Sequence, residues 1–208
     1  MVDIAAVPTR RGSESLEVCR AIFGDRFAVR ENLLALTLSN LNPPVHAANM
    51  LGNLTRAERG ESWANHDITP AVGALIQAMD AERLGLAESL GVQVRTIQDH
   101  YVASFGTSPG EVHEMAEVVY KARPDAKGPN TLDTRFIDED VPFGLFPLEM
   151  LGRMVGVPMP LHTAAIDIFS AIRKRDFRAG NPLLELLHDE FSQRGLLFDA
   201  LQKGYVAN

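Results

Sequence analysis

Apolar and polar positions along this chain fall into two regimes. Over the first 40 residues the apolar stretches are short. Val2–Pro8 (VDIAAVP) is a run suited to a buried strand. Ser13 is placed to cap a helix whose apolar positions Leu16, Cys19, Ile22 and Phe23 recur at helical spacing, and Gly24–Asp25 ends it. Phe27–Val29 and Leu33–Leu38 are again short and apolar. This strand–helix–strand succession predicts the last piece of an α/β layer over residues 1–40.

From residue 41 to 208 the pattern turns helical. Pro43 and Pro44 fit a helix start, with His46 in the first turn. Thr69–Pro70 opens a longer helix with Val72, Leu75, Ile76, Met79 and Leu84 as its apolar positions, and Gly91 closes it. Ser108–Pro109–Gly110–Glu111 reads as a capping box ahead of a helix carrying Met115, Val118 and Val119. Pro147 begins a helix that runs to Gly156. Pro160 begins another, with Leu161, Ala165, Ile168 and Ile172 on one face. Leu183–Gln202 predicts one or two terminal helices, and Ala122–Pro142 is a long irregular stretch of the kind that often carries function. The expected fold is mainly α, with a short strand–helix–strand piece in front.

Composition narrows the classes of function. The 208 residues, 46% hydrophobic and 23% charged, describe an ordinary globular protein able to bury a core. A formal net charge of −7 argues against a nucleic-acid partner, which needs a basic face. The apolar runs fall far short of the roughly 20 residues of a membrane span, so no membrane role is expected. Met1–Arg11 lacks the pattern of a signal peptide, and the single cysteine, Cys19, cannot form an internal disulfide. Cys19 reads as a small buried hydrophobe. A cytoplasmic location is the resulting expectation.

Candidate chemistry is sparse. No two glycines stand two residues apart, so the G-x-G-x-x-G cradle for a dinucleotide is absent, and so is a P-loop. The six histidines include no pair at the spacing of metal ligands on a helix, so no metal site is predicted. His66, His162 and His188 read as surface or capping residues, and Trp63, Tyr101 and Tyr120 as core aromatics. Two patterns stand out. In Asn40-Leu41-Asn42-Pro43-Pro44-Val45-His46 a proline pair fixes the histidine near a helix start. In Asp133-Thr134-Arg135-Phe136-Ile137-Asp138-Glu139-Asp140-Val141-Pro142 an arginine and an acidic cluster precede a proline inside the irregular stretch. On spacing alone these remain a capping histidine and a solvated acidic turn, or parts of a site.

At these two patterns the sequence resembles the octopine/nopaline (opine) dehydrogenase family. The segments that carry the resemblance are SNLNPPVHAANMLGN (Ser39–Asn53), EMAEVVY (Glu114–Tyr120) and KGPNTLDTRFIDEDVPFGLFPLEMLGRMVGVPMP (Lys127–Pro160), within a span from about Ile4 to about Gly180. The resemblance implies an all-helical domain like the C-terminal domain of 6-phosphogluconate dehydrogenase over 41–208, preceded by the end of a Rossmann domain over 1–40. It implies an NAD(P)H-dependent oxidoreductase that condenses an α-keto acid with the amine of an amino acid and reduces the imine. It puts the catalytic histidine at His46 and its aspartate partner at Asp140. It puts the arginine that reaches the cofactor pyrophosphate at Arg135. Asn53, seven positions after His46 and near the same helix face, is a candidate for touching substrate.

The nicotinamide, NAD or NADP, would then be bound mainly by a domain not contained in this sequence. The chain is expected to be a substrate-binding half that needs a nucleotide-binding domain in trans, a shortened reading frame, or a non-catalytic helical module for dimerisation or ligand binding derived from that family. Its expected partners are the two substrates, a separate nucleotide-binding chain, and copies of itself.

Overall fold

The computed structural model describes residues 1–179, 181–187 and 192–204. The chain is mainly helical. Its only sheet among the described residues is a parallel pair, β1 (Val2–Ile4) and β2 (Phe27–Val29), in the register Val2↔Phe27, Asp3↔Ala28 and Ile4↔Val29. They are joined by a 3-10 turn at Thr9–Arg11 and by α1 (Gly12–Phe23). This is the strand–helix–strand unit the pattern predicts, with shorter strands.

Three expectations for this region need correction. Ser13 lies inside α1, which starts at Gly12, and caps nothing. The apolar side of α1 is not a core face: Ile22 is 65% and Phe23 61% exposed, and Cys19 is only half-buried. A two-stranded sheet offers too little surface to cover a helix. Leu33–Leu38 is a helix, α2, and not a strand. Asn32 caps it by accepting from the Ala35 N–H at 2.9 Å, and Leu34, Ala35 and Leu38 are buried along one side.

The helical body follows. It comprises α3 (Asn42–Glu58), α4 (Pro70–Leu90), α5 (Ile97–Phe105), α6 (Val112–Ala122), the single turn α7 (Arg135–Asp138), and a π-helical turn at Val141–Leu145 that runs into α8 (Phe146–Val155). Next come α9 (Pro160–Arg173), α10 (Pro182–Leu186) and α11 (Arg194–Lys203). The prolines at the starts of α3, α4 and α9 cost nothing there, because the amide hydrogens they lack have no partner in a first helical turn.

The α5 helix was not anticipated, although Thr96 and Asp99 form a complete capping box for it. The expected box at Ser108 does not form. Glu114 accepts instead from the Glu111 N–H, and α6 starts at Val112 with Val118 exposed. In α9 the buried face is His162, Ala165, Ile166 and Phe169, so Ile168 points outward.

Two apolar clusters hold the body together. The larger joins α3, the first half of α4, α5, α6, α7, the π turn and α9, around Met50, Ile76, Met79, Met115, Ile137, Leu145 and Phe169. The smaller joins α2, the end of α4, α8 and α11. Each fully buried side chain of this size contributes roughly 1.5–3 kcal/mol. Because α2 and α11 share the smaller cluster, residues 33–38 are packed into the helical body. No helix among the described residues is long and apolar enough to cross a membrane.

Candidate functional site

The π turn and α3 converge on one point. His46 lies near the N-terminal end of α3, held by the fully buried Ala47, Ala48 and Met50 beside it. Asp140 stands at the start of the π turn, between the fully buried Ile137 and Val141. These apolar anchors fix where the two polar side chains emerge. His46 Nδ1 and Asp140 Oδ2 lie 2.7 Å apart, across 94 residues of sequence. The two side chains are only 13% and 8% exposed.

A third group completes the clamp. Phe136 of α7 stacks flat on the imidazole, with ring centroids 3.5 Å apart and planes within 8°. The carboxylate therefore sets the ring's rotation and tautomer, while the phenyl ring sets its plane. His46 Nε2 makes no hydrogen bond among the described residues, so it remains available to another molecule.

The irregular stretch before Asp140 is pinned at three places. At its start, the Trp63 indole N–H donates to Pro129 O at 2.6 Å, and Gly128 N–H donates to Trp63 O at 2.9 Å. Gly128 is needed there, because a Cβ would meet the Trp63 ring at 2.4 Å. Midway, Arg173 reaches from the end of α9 to Asp133 at 2.6 Å and Asp138 at 3.3 Å, and Arg175 adds a 3.4 Å contact to Asp138. The Arg173–Lys174–Arg175 run is thus a tether for α7 as well as a solvated helix end. At the far end, Gly144 lets the π turn approach α3, since a Cβ would meet Pro43 at 2.4 Å.

The other two candidate residues sit differently. Arg135 opens α7, one residue before the stacked Phe136. Its side chain is 62% exposed and, among the described residues, pairs only with Glu139, at 3.3 Å. That leaves an exposed guanidinium on the turn that carries Phe136. Asn53 is buried at a kink in α3, with φ −122° and ψ 15°. Its amide donates to Asn49 O at 3.1 Å and accepts from Arg56 at 3.4 Å, so both its polar atoms are already engaged. Asn49 donates to Asn65 O at 3.0 Å and continues this polar line along α3.

Among the described residues no group of three or more His, Cys, Asp or Glu side chains could hold a metal ion. His162 is a correction. It is fully buried, and its Nδ1 lies 2.7 Å from Glu82. Burial pushes the Glu82 carboxyl up, but bonds from the His162 ring and from the Leu161 and His162 N–H groups outweigh that and hold it below the usual carboxylate range. Glu82 thereby caps the start of α9. His66 is half-buried against Tyr101 and Phe105, and burial lowers its pKa, with Arg123 adding to the effect. Trp63 and Tyr101 are core residues as expected, and burial pushes the Tyr101 phenol up to about 12. His188 lies outside the described residues.

Phe136, Asp133 and Asp138 lie inside the pattern singled out above, but no individual role was read for them, nor for Arg173. The acidic residues and Arg173 carried only a signal of charge. Phe136 carried none, because stacking against a residue 90 positions away has no local signature.

The chain thus presents a histidine–carboxylate pair on a layer of helices. Comparison with known proteins gives it a family. The family described as NAD/NADP octopine/nopaline dehydrogenase, alpha-helical domain, matches residues 29–173, and the chain belongs to it. An opine dehydrogenase of Arthrobacter sp. (strain 1C) is 36% identical over 188 residues, which are 89% of this chain and 52% of that protein. Vitopine synthase of Allorhizobium ampelinum (strain ATCC BAA-846 / DSM 112012 / S4) is 26% identical over 168 residues, covering 79% of this chain and 44% of that protein. The chain spans about half the length of the curated relatives it matches. The octopine dehydrogenase structures titled with NADH and L-arginine and with NADH and agmatine each align with a TM-score of 0.65 at 16% identity. They cover 93% of this chain and 55% of theirs, and they establish the likeness of fold.

Proposed function

We propose that this chain is the substrate-binding half of an opine-type oxidoreductase, which condenses an α-keto acid with an amino acid amine and reduces the product. The observation that carries the reading is the 2.7 Å contact between His46 Nδ1 and Asp140 Oδ2, with Nε2 left unbonded. Family membership over residues 29–173 supplies the reaction class.

In this reading His46 is the acid and base of the site. With Nδ1–H held by Asp140, a protonated Nε2 faces the keto acid carbonyl oxygen and donates to it. The amine nitrogen adds to the carbonyl carbon, giving a carbinolamine. Nε2, having given its proton to the carbonyl oxygen, takes one from the added amine nitrogen and returns it to the hydroxyl, which leaves as water as the C=N bond forms; the resulting imine is ready to be reduced. Asp140 stabilises the imidazolium between these steps. Asn53 is assigned to the substrate side through its place on the α3 face, either by contact or by ordering that face.

The residues described here do not by themselves fit a nicotinamide cofactor. The glycine cradle is absent from the sequence, and the two short strands leave no phosphate-binding turn. We therefore assign NAD or NADP to a nucleotide-binding half, joined upstream in a longer protein or carried on a separate chain. Residues 1–40 are read as the edge of that half and residues 41–208 as the substrate domain. Arg135, exposed and lightly paired, is assigned the role of offering a fork to a pyrophosphate, which its exposure supports. A cytoplasmic setting with reduced nicotinamide suits this reading.

The test pairs this chain with its nucleotide-binding half and follows NAD(P)H consumption with pyruvate and a mixture of amino acids. His46→Ala and Asp140→Asn are expected to lower turnover by about 10²–10⁴-fold, the usual share of a positioned acid or base. No turnover with any pairing would rule the reading out in favour of a helical ligand-binding or dimerisation module, and turnover unchanged by both substitutions would remove the chemistry from this pair.

A further inference from the structure

We propose that Asn181 is a positioning residue for the His46–Asp140 pair, acting through a backbone carbonyl that the π turn leaves without a helical partner. The inference rests on the reading of that pair as the reacting site.

The argument begins with two prolines. In the π turn the Phe146 N–H donates to Val141 O, five residues back. Had the helix been regular, Phe146 would have bonded Pro142 O instead. The shift passes Pro142 O to residue 147, the next donor in π spacing. That residue is Pro147, which has no N–H. Pro142 O is therefore an orphan acceptor in a buried segment, only two residues beyond Asp140. A buried carbonyl without a partner costs about 1–3 kcal/mol, so the turn needs a donor from elsewhere.

Asn181 supplies it. Its Nδ2 donates to Pro142 O at 2.7 Å, from a side chain only 3% exposed. The same side chain caps α10 with its other atom, since Oδ1 accepts from the Leu183 and Leu184 N–H groups at 3.2 Å each. One amide thus ties the start of a C-terminal helix to the turn that aims Asp140. π turns recur at functional sites because they re-aim the residues around them. Here the register that orients Asp140 is held by a donor 41 positions further along the chain.

The two ends of the amide can be separated. Asn181→Asp keeps the capping oxygen for α10 and removes the donor to Pro142 O. The readout is the His46 imidazole in the ¹⁵N-labelled chain, seen in long-range ¹H–¹⁵N spectra and assigned by its loss in His46→Ala. Most of the protected Nδ1–H signal is expected to vanish in Asn181→Asp, while the Leu183 and Leu184 amides stay in place. Pro147→Ala added to Asn181→Asp gives the turn a new N–H for the orphan carbonyl, and the imidazole signal is expected to return. An unchanged imidazole signal in Asn181→Asp, or no recovery in the double variant, overturns the proposal. The measurement needs no turnover. Failure of the enzymatic reading would leave these spectra informative, whereas failure of the Asn181 inference would leave activity untouched.

Discussion

An imidazole held at one edge by a carboxylate and on one face by a phenyl ring keeps little freedom, and His46 is held in both ways. The same economy appears at Glu149, almost fully buried in α8. Burial raises its pKa, but Arg178 bonds both carboxylate oxygens at 2.8 Å, Thr163 adds an O–H donor and Arg153 adds charge. The net result is a carboxyl below its ordinary value of 4.5, and an Arg178 guanidinium raised above its own. A folded-state pKa below the unfolded one means that the stabilisation is complete above about pH 4.5 and is lost as pH falls through the folded value. The thermal midpoint is expected to drop on acidification from pH 6 to pH 3. That drop should be shallower in Glu149→Gln, whose midpoint is already lower at pH 6. Equal slopes in differential scanning calorimetry would show that Glu149 is not among the groups responsible. Of these residues, His46 and Asp140 were legible from the sequence because the resemblance marked them. Asp140 could not be paired with His46 by spacing, since a contact across 94 residues is a product of folding.

At the scale of elements, most helix starts were legible and most faces were not. Proline and glycine mark boundaries through local backbone chemistry, so Pro43, Pro70, Pro160, Gly91 and Gly156 all read correctly. Which side of a helix is buried depends on its neighbours. The α9 face turned toward His162 because Glu82 of α4 receives it, and α1 found no layer to cover Ile22 and Phe23. The π turn was equally hidden, since its register comes from Pro147 and Asn181 together. Its close approach to α3 depends on Gly144. Gly144→Ala is expected to force the turn away from Pro43, cost about 1–3 kcal/mol through overpacking, and weaken the His46–Asp140 contact. Urea denaturation and the His46 imidazole signal check the two parts. A variant with wild-type values for both would mean that the turn has room the structure does not show.

The helices are joined through a buried ion pair whose i,i+3 spacing is local but whose burial and distant carbonyl contacts are not. Arg83 and Asp80 of α4 meet at 2.7 Å with almost no exposure. Arg83 also donates to Leu38 O at the end of α2 and to Arg95 O at 2.6 Å, while Asp80 accepts from the Ile97 N–H at 2.9 Å. One pair thus ties the end of α2 and the start of α5 to the central helix. Arg83→Met is expected to destabilise the chain by roughly 3–5 kcal/mol, because it leaves Asp80 buried and uncompensated. Asp80→Asn/Arg83→Met should recover part of that loss. Chemical denaturation measures both, and a cost below about 1 kcal/mol for the single variant would contradict the role given to the pair.

By itself the sequence determined the mainly helical class, the helix boundaries set by proline and glycine, and the family, whose resemblance also pointed to His46 and Asp140. These are properties of short segments, written in backbone preferences and in contiguous motifs. Only the tertiary structure decided which faces are buried, that Phe136 lies on His46, and that Asn181 and Arg83 bind distant carbonyls. Those contacts join residues tens of positions apart, and their energies exist only once other layers of the fold have brought the partners within reach.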